Sequence, residues 1–326
     1  MLRTMIEQAP IIFAPSLKSV IWGGSRICSY KGIPHPDAKI GESWEVSALP
    51  GHESVVESGP YAGSKLSELV AAFGAELLGD AVAERYGGKF PLLVKFLDVC
   101  HNISVQVHPR DELAMARHNA PGKNEMWYIV DSDPGAKVCV GFNQKISHDE
   151  YELHVAEGSV ESILAEHESN PGDVFYLPAG RVHTIGPGNL VAEIQDASDI
   201  TYRIFDYNRL DSEGKPRELH TDLAREAIDY EHYDNYKLAP VADTVTDVEL
   251  VHFPHFCVHR LLVDGTMDLH FSTDSFTVLM CVRGEATLRY AGGEMTLRAG
   301  RTVLCPAVLT DLSLDGKATV LYSRAN

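Results

Sequence analysis

The sequence predicts a mainly β fold made of two related jelly-roll barrels with a small helical insertion. Three observations support this prediction. Short apolar runs separated by Gly, Pro, Asn and Asp fill most of the chain, which is typical of strands joined by turns. Helical periodicity is confined to a few short segments, and one Gly-to-Pro motif occurs twice.

The predicted strands share an apolar centre and are bounded by turn-forming residues. They cover residues 92–97, 103–107, 126–130, 174–177, 191–194 and 277–282. Apolar residues at i, i+3, i+4 and i+7 predict helices in three segments. These helices begin near Ser64, at Val160, and at Thr221 or Asp222.

The repeated motif reads GDVFYLPA at residues 172–179 and GRTVLCPA at residues 300–307. A Gly turn, a short buried strand and a Pro form a unit that jelly rolls repeat. We therefore predict two modules, residues 1–240 and 241–326. Five residues after the Pro, the first copy has His183 and the second has Asp311. The second module is thus predicted to pack against the first without holding a metal.

The composition bears on partners and location. With 28 basic and 46 acidic residues the formal charge is −18, which disfavours nucleic acid and anionic membranes as partners. We see neither a secretory signal nor an apolar run long enough to span a membrane. Six scattered cysteines without a C-x-x-C pair predict reduced thiols and a cytoplasmic location. The oligomeric state is left open.

The segment NISVQVHP, residues 102–109, is the first candidate site. On a strand, Ser104, Gln106 and His108 point to one face, while Val105 and Val107 point to the other. Polar groups that face a barrel interior are costly unless they find partners. A metal ion would provide that partner, because alternate residues on a strand lie roughly 6.6 Å apart.

Two further segments contribute candidate ligands. Glu125 stands at the start of a predicted strand, and His183 follows a strand and a tight turn. Together with Gln106 and His108 they form a mixed nitrogen and oxygen set. Such a set suits catalytic Zn²⁺, although Mn²⁺ and Fe²⁺ accept the same ligand types.

Five short motifs resemble the type I mannose-6-phosphate isomerases, particularly their shorter bacterial form. They are VIWGG (20–24), GESWE (41–45), SVQVHP (104–109), GKNEMWY (122–128), and PAGRVH (178–183) continuing to Tyr202-Arg203. The resemblance extends from about residue 15 to residue 209. The family fold is a metal-binding cupin followed by a second cupin-like domain, which implies two cupin-like jelly-roll barrels here.

The resemblance also implies a cofactor, one Zn²⁺ per chain. Transferred by position, its ligands are Gln106, His108, Glu125 and His183. The two histidines and the glutamate match the ligands of the shorter members.

Three residues match catalytic positions of the family. Arg203 matches the active-site arginine, and Asp199 matches an acidic residue near the reacting carbons. Lys123 matches the lysine of a Lys-Pro-Glu motif, in which Asn124 here replaces the Pro. Asp199 and Lys123 are the candidate proton carriers. The alternatives are that Asp199 pairs with Arg203 and that Lys123 binds phosphate.

The resemblance implies substrate-binding roles for three more residues. Lys95 and Ser104 fit positions near the sugar phosphate, and Trp22 could line the sugar pocket. Structural burial explains Trp22 equally well. Arg181 and Arg209 are candidate cations at the rim.

The implied activity is zinc-dependent interconversion of mannose 6-phosphate and fructose 6-phosphate, with proton transfer through a cis-enediol. Two alternatives stay open. Two His and one carboxylate also hold iron in oxygenases, and a cupin can bind sugar without catalysis. The presence of Lys123, Asp199 and Arg203 beside the ligands favours the isomerase.

Overall fold

The computed structural model describes residues 5–34, 39–211, 213–242 and 244–326. Strands contain 43% of the residues and helices contain 17%, so the prediction of a mainly β fold is confirmed. None of the helices in these ranges is long and apolar enough to cross a bilayer.

The strands follow one another in chain order. They are β1 (Ile11–Ala14), β2 (Ser16–Gly24), β3 (Ile40–Val46), β4 (Val55–Val56), β5 (Leu92–Val99), β6 (Val105–Val107), β7 (Glu125–Ser132), β8 (Lys137–Phe142), β9 (Leu164–Glu168), β10 (Val174–Leu177), β11 (His183–Ile185), β12 (Asn189–Asp196), β13 (Tyr202–Phe205), β14 (Asp247–His252), β15 (Phe256–His270), β16 (Thr277–Tyr290), β17 (Gly293–Arg298), β18 (Thr302–Cys305) and β19 (Asp311–Ala325).

The helices lie in the first three quarters of the chain. They are α1 (Arg26–Lys31), α2 (Leu66–Phe73), α3 (Ala75–Leu78), α4 (Asp80–Arg85), α5 (Asp111–His118), α6 (His148–Glu157) and α7 (Thr221–Ala227), with a 3₁₀ helix at Val160–Ile163.

Two antiparallel sheets form the first module. One has the strand order β10-β7-β12-β5-β2-β3, and the other has the order β13-β6-β11-β8-β9. Apolar side chains of both sheets share one core, which includes Val99, Trp127, Val140, Phe175 and Ile185. The sheets therefore pack face to face in the jelly-roll manner, and within the described ranges they do not close into a barrel.

The second module is built on a sheet with the order β14-β15-β19-β16-β18-β1-β4, to which β17 adds beside β16. Its strands β15, β16 and β19 are 14 or 15 residues long and enclose a core that includes Leu279, Leu288, Leu314 and Val320. β1 joins this sheet through the pair Ile11↔Leu304. The division of the chain at residue 240 stays a prediction.

A third core joins the modules. The outer face of the six-stranded sheet contributes Val94, Phe96 and Ile194, and these contact apolar residues of α2 and of the second module. Residues from α2 and from the second module in this cluster include Leu66, Leu69, Phe73, Phe253, Phe256, Phe276 and Leu321. The two modules therefore share apolar burial, which favours one fixed arrangement.

The repeated motif has the same backbone form in both modules. Gly172 and Gly300 have φ values of 93° and 82°, in the left-handed region that favours glycine. Each Gly precedes a four-residue strand, β10 or β18, and each strand ends before a Pro. The sequence prediction of two related β units is thus supported.

Two of the three predicted helices are present, as α2 and α7. The helix predicted from Val160 was wrong: a single 3₁₀ turn ends at Ile163, and Leu164–Glu168 forms β9. β9 pairs with β8, for example through Val138↔His167. Backbone pairing with a neighbouring strand therefore overrides the local 3.6-residue pattern.

A buried ion pair also links the modules. The ammonium of Lys31, at the end of α1, lies 2.8 Å from both carboxylate oxygens of Glu45 and 2.6 Å from the carbonyl oxygen of Gly300. Ser43 also donates to Glu45, at 2.5 Å. Both charged side chains are only 5% exposed, so each depends on the other for compensation.

Replacing Lys31 with Met should lower the free energy of unfolding by about 3–5 kcal/mol, because it leaves the Glu45 carboxylate buried without a cation. Urea denaturation measures this change. The matched control is Lys317→Met, which removes an exposed pair with Asp264 and should leave the free energy nearly unchanged. Equal effects of the two substitutions would contradict the prediction.

Candidate metal centre

The register of the five-stranded sheet aligns three of the predicted site residues. Gln106 on β6 lies directly opposite His183 on β11 and opposite Arg203 on β13. Paired residues of adjacent strands project from the same face of a sheet. Val105 and Val107 are fully buried on the other face, in a core shared with helices α6 and α7. The predicted alternation of polar and apolar faces is therefore present.

The six-stranded sheet presents a second polar row to the same interior. Trp44, Lys95, Glu193 and Trp127 lie opposite one another on β3, β5, β12 and β7. Lys95 donates to Glu193 at 3.1 Å, and the indole N–H of Trp127 donates to its other oxygen at 3.0 Å. Glu125, the first residue of β7, precedes Trp127 by two positions and so points to the same side.

Glu125 is the centre of the cluster and its side chain is fully buried. One carboxylate oxygen lies 3.2 Å from Nε2 of His183. The other lies 3.4 Å from Nε2 of His108 and 3.0 Å from Nζ of Lys123. Gln106 reaches the same place, since its amide nitrogen is 3.2 Å from Nε2 of His183.

Both histidines are oriented by backbone carbonyls. Nδ1 of His108 lies 2.8 Å from the carbonyl oxygen of Ile200, and Nδ1 of His183 lies 2.9 Å from that of Arg181. A carbonyl oxygen can only accept, so Nδ1 carries the proton in each ring. The unprotonated Nε2 of each neutral ring then faces Glu125. This is the orientation in which imidazole binds metals.

The electrostatic environment keeps the three groups in their metal-binding forms. Burial, together with the Lys123 ammonium, lowers the pKa of His108 to about 4. Burial also lowers the pKa of His183. Burial by itself opposes ionisation of Glu125, but the Lys123 ammonium lowers the pKa of this carboxyl well below its usual value.

These residues fit a divalent cation. One ligand atom from each of His108, Glu125 and His183 lies within 4.8 Å of the other two. Within the described residues neither carboxylate oxygen of the buried Glu125 accepts a hydrogen bond of normal geometry, and only one of them has a cation beside it, the Lys123 ammonium at 3.0 Å. A buried ionised oxygen without such a partner is costly, and a cation satisfies it. Two imidazole nitrogens and a carboxylate are ligands of catalytic Zn²⁺.

Lys123 and Ser104 lie close to the ligands, as the sequence led us to expect. Lys123 is buried, and its Nζ is 3.2 Å from Nε2 of His108. The hydroxyl of Ser104 donates to the Gln106 side-chain oxygen at 3.3 Å. Trp22 is 7% exposed and belongs to the core between the two sheets.

Asp199 and Arg203 lie outside the cluster formed by His108, Glu125 and His183. Asp199 is exposed in the loop between β12 and β13. Arg203 donates to the carbonyl oxygen of Glu218 at 2.7 Å, and its Nε is buried without a partner in the described structure. No ion pair between Arg203 and Asp199 occurs within the described ranges, so that alternative lacks support.

An arginine cluster beside Arg203 contains Arg209, which the sequence had suggested as a rim cation, and Arg217 and Asp206, which it had not. Asp206 pairs with both Arg209 and Arg217, at 2.5 Å each. Burial, together with the charge of Arg217, lowers the pKa of Arg203. The only sequence signal was the recurrence of Arg and Asp between residues 203 and 217.

Two other buried residues differ from what the sequence led us to expect. Glu193 was missed, although a lone Glu in the apolar run 189–194 is a signal for a buried ion pair. Arg181 is not the predicted rim cation. It is buried, with its guanidinium 4.9 Å from the ring centroids of both Tyr233 and Tyr236.

Two family models match the chain. Residues 11–134 match the type I phosphomannose isomerase catalytic domain. Residues 246–325 match the mannose-6-phosphate isomerase cupin domain.

Full-length relatives and solved structures agree with these matches. A mannose-6-phosphate isomerase of Bacillus subtilis is 35% identical, over 96% of this chain and 98% of that protein. The mannose-6-phosphate isomerase of Streptococcus mutans is 31% identical, over 97% of this chain and 98% of that protein. The crystal structure of the mannose 6-phosphate isomerase from B. subtilis has a TM-score of 0.85 at 33% identity, covering 97% of this chain and 99% of that one.

Replacing His183 with Ala should abolish the binding of one divalent cation per chain, because it removes a ligand nitrogen beside Glu125. Arg203→Ala should retain the cation, since the guanidinium lies outside the ligand cluster. Elemental analysis after dialysis against Zn²⁺-containing buffer measures both, and His101→Ala, an exposed histidine of the same module, is the control. Equal metal loss in the His183 and Arg203 variants would contradict the assignment.

Proposed function

Because the chain belongs to the type I phosphomannose isomerase family, we propose that it interconverts mannose 6-phosphate and fructose 6-phosphate with one Zn²⁺ per chain. The observation that carries this proposal is the buried carboxylate of Glu125 between two Nε2 atoms and the ammonium of Lys123. A metal ligand set and a proton-carrying group thus share one interior.

His108, Glu125 and His183 would hold the zinc, with Gln106 as the fourth protein ligand. Gln106 supplies a ligand oxygen if its amide is rotated by 180° about the final side-chain bond, which brings its oxygen toward His183. When bound, Zn²⁺ supplies a Lewis acid for negative charge on a sugar oxygen.

Lys123 is the first candidate for the proton carrier. Its Nζ lies beside the ligand atoms of Glu125 and His108. A bound divalent cation beside Lys123 would disfavour its ammonium form. The amine would then take the C2 proton of mannose 6-phosphate and return it to C1, while a second proton moves from O2 to O1. This sequence passes through a cis-enediol. Asp199 is the second candidate, and its exposure requires the substrate to reach the loop between β12 and β13.

Arg203 would stabilise charge on the sugar oxygens. It projects from the same sheet face as Gln106, and its buried Nε is free to donate to a substrate within the described structure. A fixed guanidinium that does not reorganise during the reaction is effective for such stabilisation.

Lys95, Ser104 and Trp22 would bind the substrate. Lys95 already pairs with Glu193, so that pair would position the ammonium rather than leave it mobile. The nearby Arg209 and Arg217, held by Asp206, could receive a phosphate as bidentate donors.

The proposed location is the cytoplasm. In the described part of the chain all six cysteines are free thiols, and three of them are buried. A reducing compartment preserves thiols in this state.

The metal-loaded protein should convert mannose 6-phosphate to fructose 6-phosphate, and a chelator should remove that activity. A coupled spectrophotometric assay of fructose 6-phosphate measures this, before chelation, after chelation and after Zn²⁺ is restored. Activity that survives complete removal of the metal would contradict zinc dependence. Absence of turnover in the loaded protein would overturn the proposed isomerase.

Turnover in D₂O should place deuterium at C1 of fructose 6-phosphate, because a proton held on a side chain exchanges with solvent before its return. Nuclear magnetic resonance of the product measures the incorporation. The His183→Ala protein serves as the control for exchange without catalysis. Complete retention of the original hydrogen under all conditions would contradict the predicted exchange and favour a hydride shift.

A further inference from the structure

The segment 122–125 contains both Lys123 and Glu125. Asn124, which lies between these two residues, holds the segment in place through its hydrogen bonds. The backbone N–H and the side-chain amide of Asn124 both donate to one oxygen of Asp196, at 2.9 and 2.8 Å. The Asn124 side-chain oxygen accepts the N–H of Ala179 at 3.0 Å. Ala179 belongs to the turn that leads to His183, so Asn124 ties two ligand-bearing segments together.

A histidine of the second module completes this arrangement. The other oxygen of Asp196 lies 3.2 Å from Nδ1 of His255, and Nε2 of His255 lies 3.3 Å from Asp111. Asp111 in turn accepts the backbone N–H of Gly122 at 2.8 Å. His255 thus bridges two carboxylates, one of which binds the segment at Gly122 and the other at Asn124.

The surroundings of His255 favour a fixed bridge. Its side chain is 20% exposed, and its backbone carbonyl accepts the hydroxyl of Tyr86 at 3.1 Å. Each ring nitrogen lies beside a carboxylate, which can only accept, and the hydrogen bond with Asp196 raises the pKa of His255 above its usual value. An imidazolium at this place donates to Asp196 and forms an ion pair with Asp111.

We propose that His255 is a positioning residue for the metal centre, and that the second module supplies it to hold Lys123 and Glu125 in place. This inference rests on the proposed zinc isomerase. The inference gives the second module a part in the active site, although that module lacks the metal ligands of the first module. Groups that hydrogen-bond directly to metal ligands contribute about 10- to 100-fold to metal affinity or activity. His255 acts through Asp196 and Asp111 rather than on a ligand itself, so we expect an effect of several-fold.

The test is His255→Gln, which keeps a hydrogen-bonding side chain but cannot bridge two carboxylates as a cation. The dissociation constant for Zn²⁺, measured against a chromophoric chelator without substrate, should rise several-fold. The visible spectrum of bound Co²⁺ should shift as the ligand geometry loosens. In the assay, kcat should fall more than KM changes, because Lys123 is displaced while substrate contacts elsewhere persist.

The matched control is His252→Gln. His252 belongs to the same module, pairs with Glu249 at 3.0 Å, and is 61% exposed, so its loss should alter none of these readouts. If the His255→Gln protein has the same Zn²⁺ affinity and the same Co²⁺ spectrum as the unsubstituted protein, the inference is overturned. An equal change in both variants would overturn it as well.

If His255→Gln does not fold, Asp111→Asn replaces it as the test. This substitution affects only the half-exposed arm of the bridge, and Asn can still accept the Gly122 N–H. A rise in the Zn²⁺ dissociation constant of several-fold or more supports the inference, and an unchanged constant overturns it. Because Zn²⁺ affinity is measured without substrate, failure of the proposed isomerase is recognised separately, as lack of turnover in the unsubstituted protein.

Discussion

The burial of one ionised carboxylate constrains the whole first module. Glu125 is fully buried, and an isolated charge in such a place is strongly destabilising. The Lys123 ammonium compensates this charge, and the two inward-pointing Nε2 atoms beside the carboxylate complete a ligand set that a cation would occupy. Every element that holds one of these groups must therefore keep its register, because a slip of one residue would turn the side chain to the opposite face.

Two facing sheets satisfy this constraint with two polar rows. The row that contains Gln106, His183 and Arg203 faces the row that contains Lys95 and Glu193. The Lys95–Glu193 pair balances its own charge and places an ammonium on the interior face close to Glu125. The apolar side chains around both rows exclude water, which strengthens each electrostatic interaction in the interior.

The second module stabilises the first through apolar contacts and through two polar contacts, one made by Lys31 and one made by His255. The Lys31 ammonium joins Glu45 to the carbonyl oxygen of Gly300, which lies in the second module's copy of the repeated motif. His255 reaches across to Asp196 and Asp111, which hold the segment that carries Glu125. The face that carries the candidate metal ligands thus depends on a module whose own sequence contains no counterpart of His183.

The β class and the repeated unit could be predicted from the sequence, because the strand pattern and the Gly-to-Pro motif are local properties. Alternation along NISVQVHP and the family resemblance named the candidate ligands, whose role as ligands stays a prediction. Three features became visible only in the folded chain: residues 164–168 pair as a strand, Arg181 packs among tyrosines, and Asp199 is exposed. The tertiary structure alone placed Glu193 against Lys95 and His255 against Asp196. Such pairings depend on strand order and on packing between modules, and no periodicity within a single segment encodes a partner that lies far along the chain.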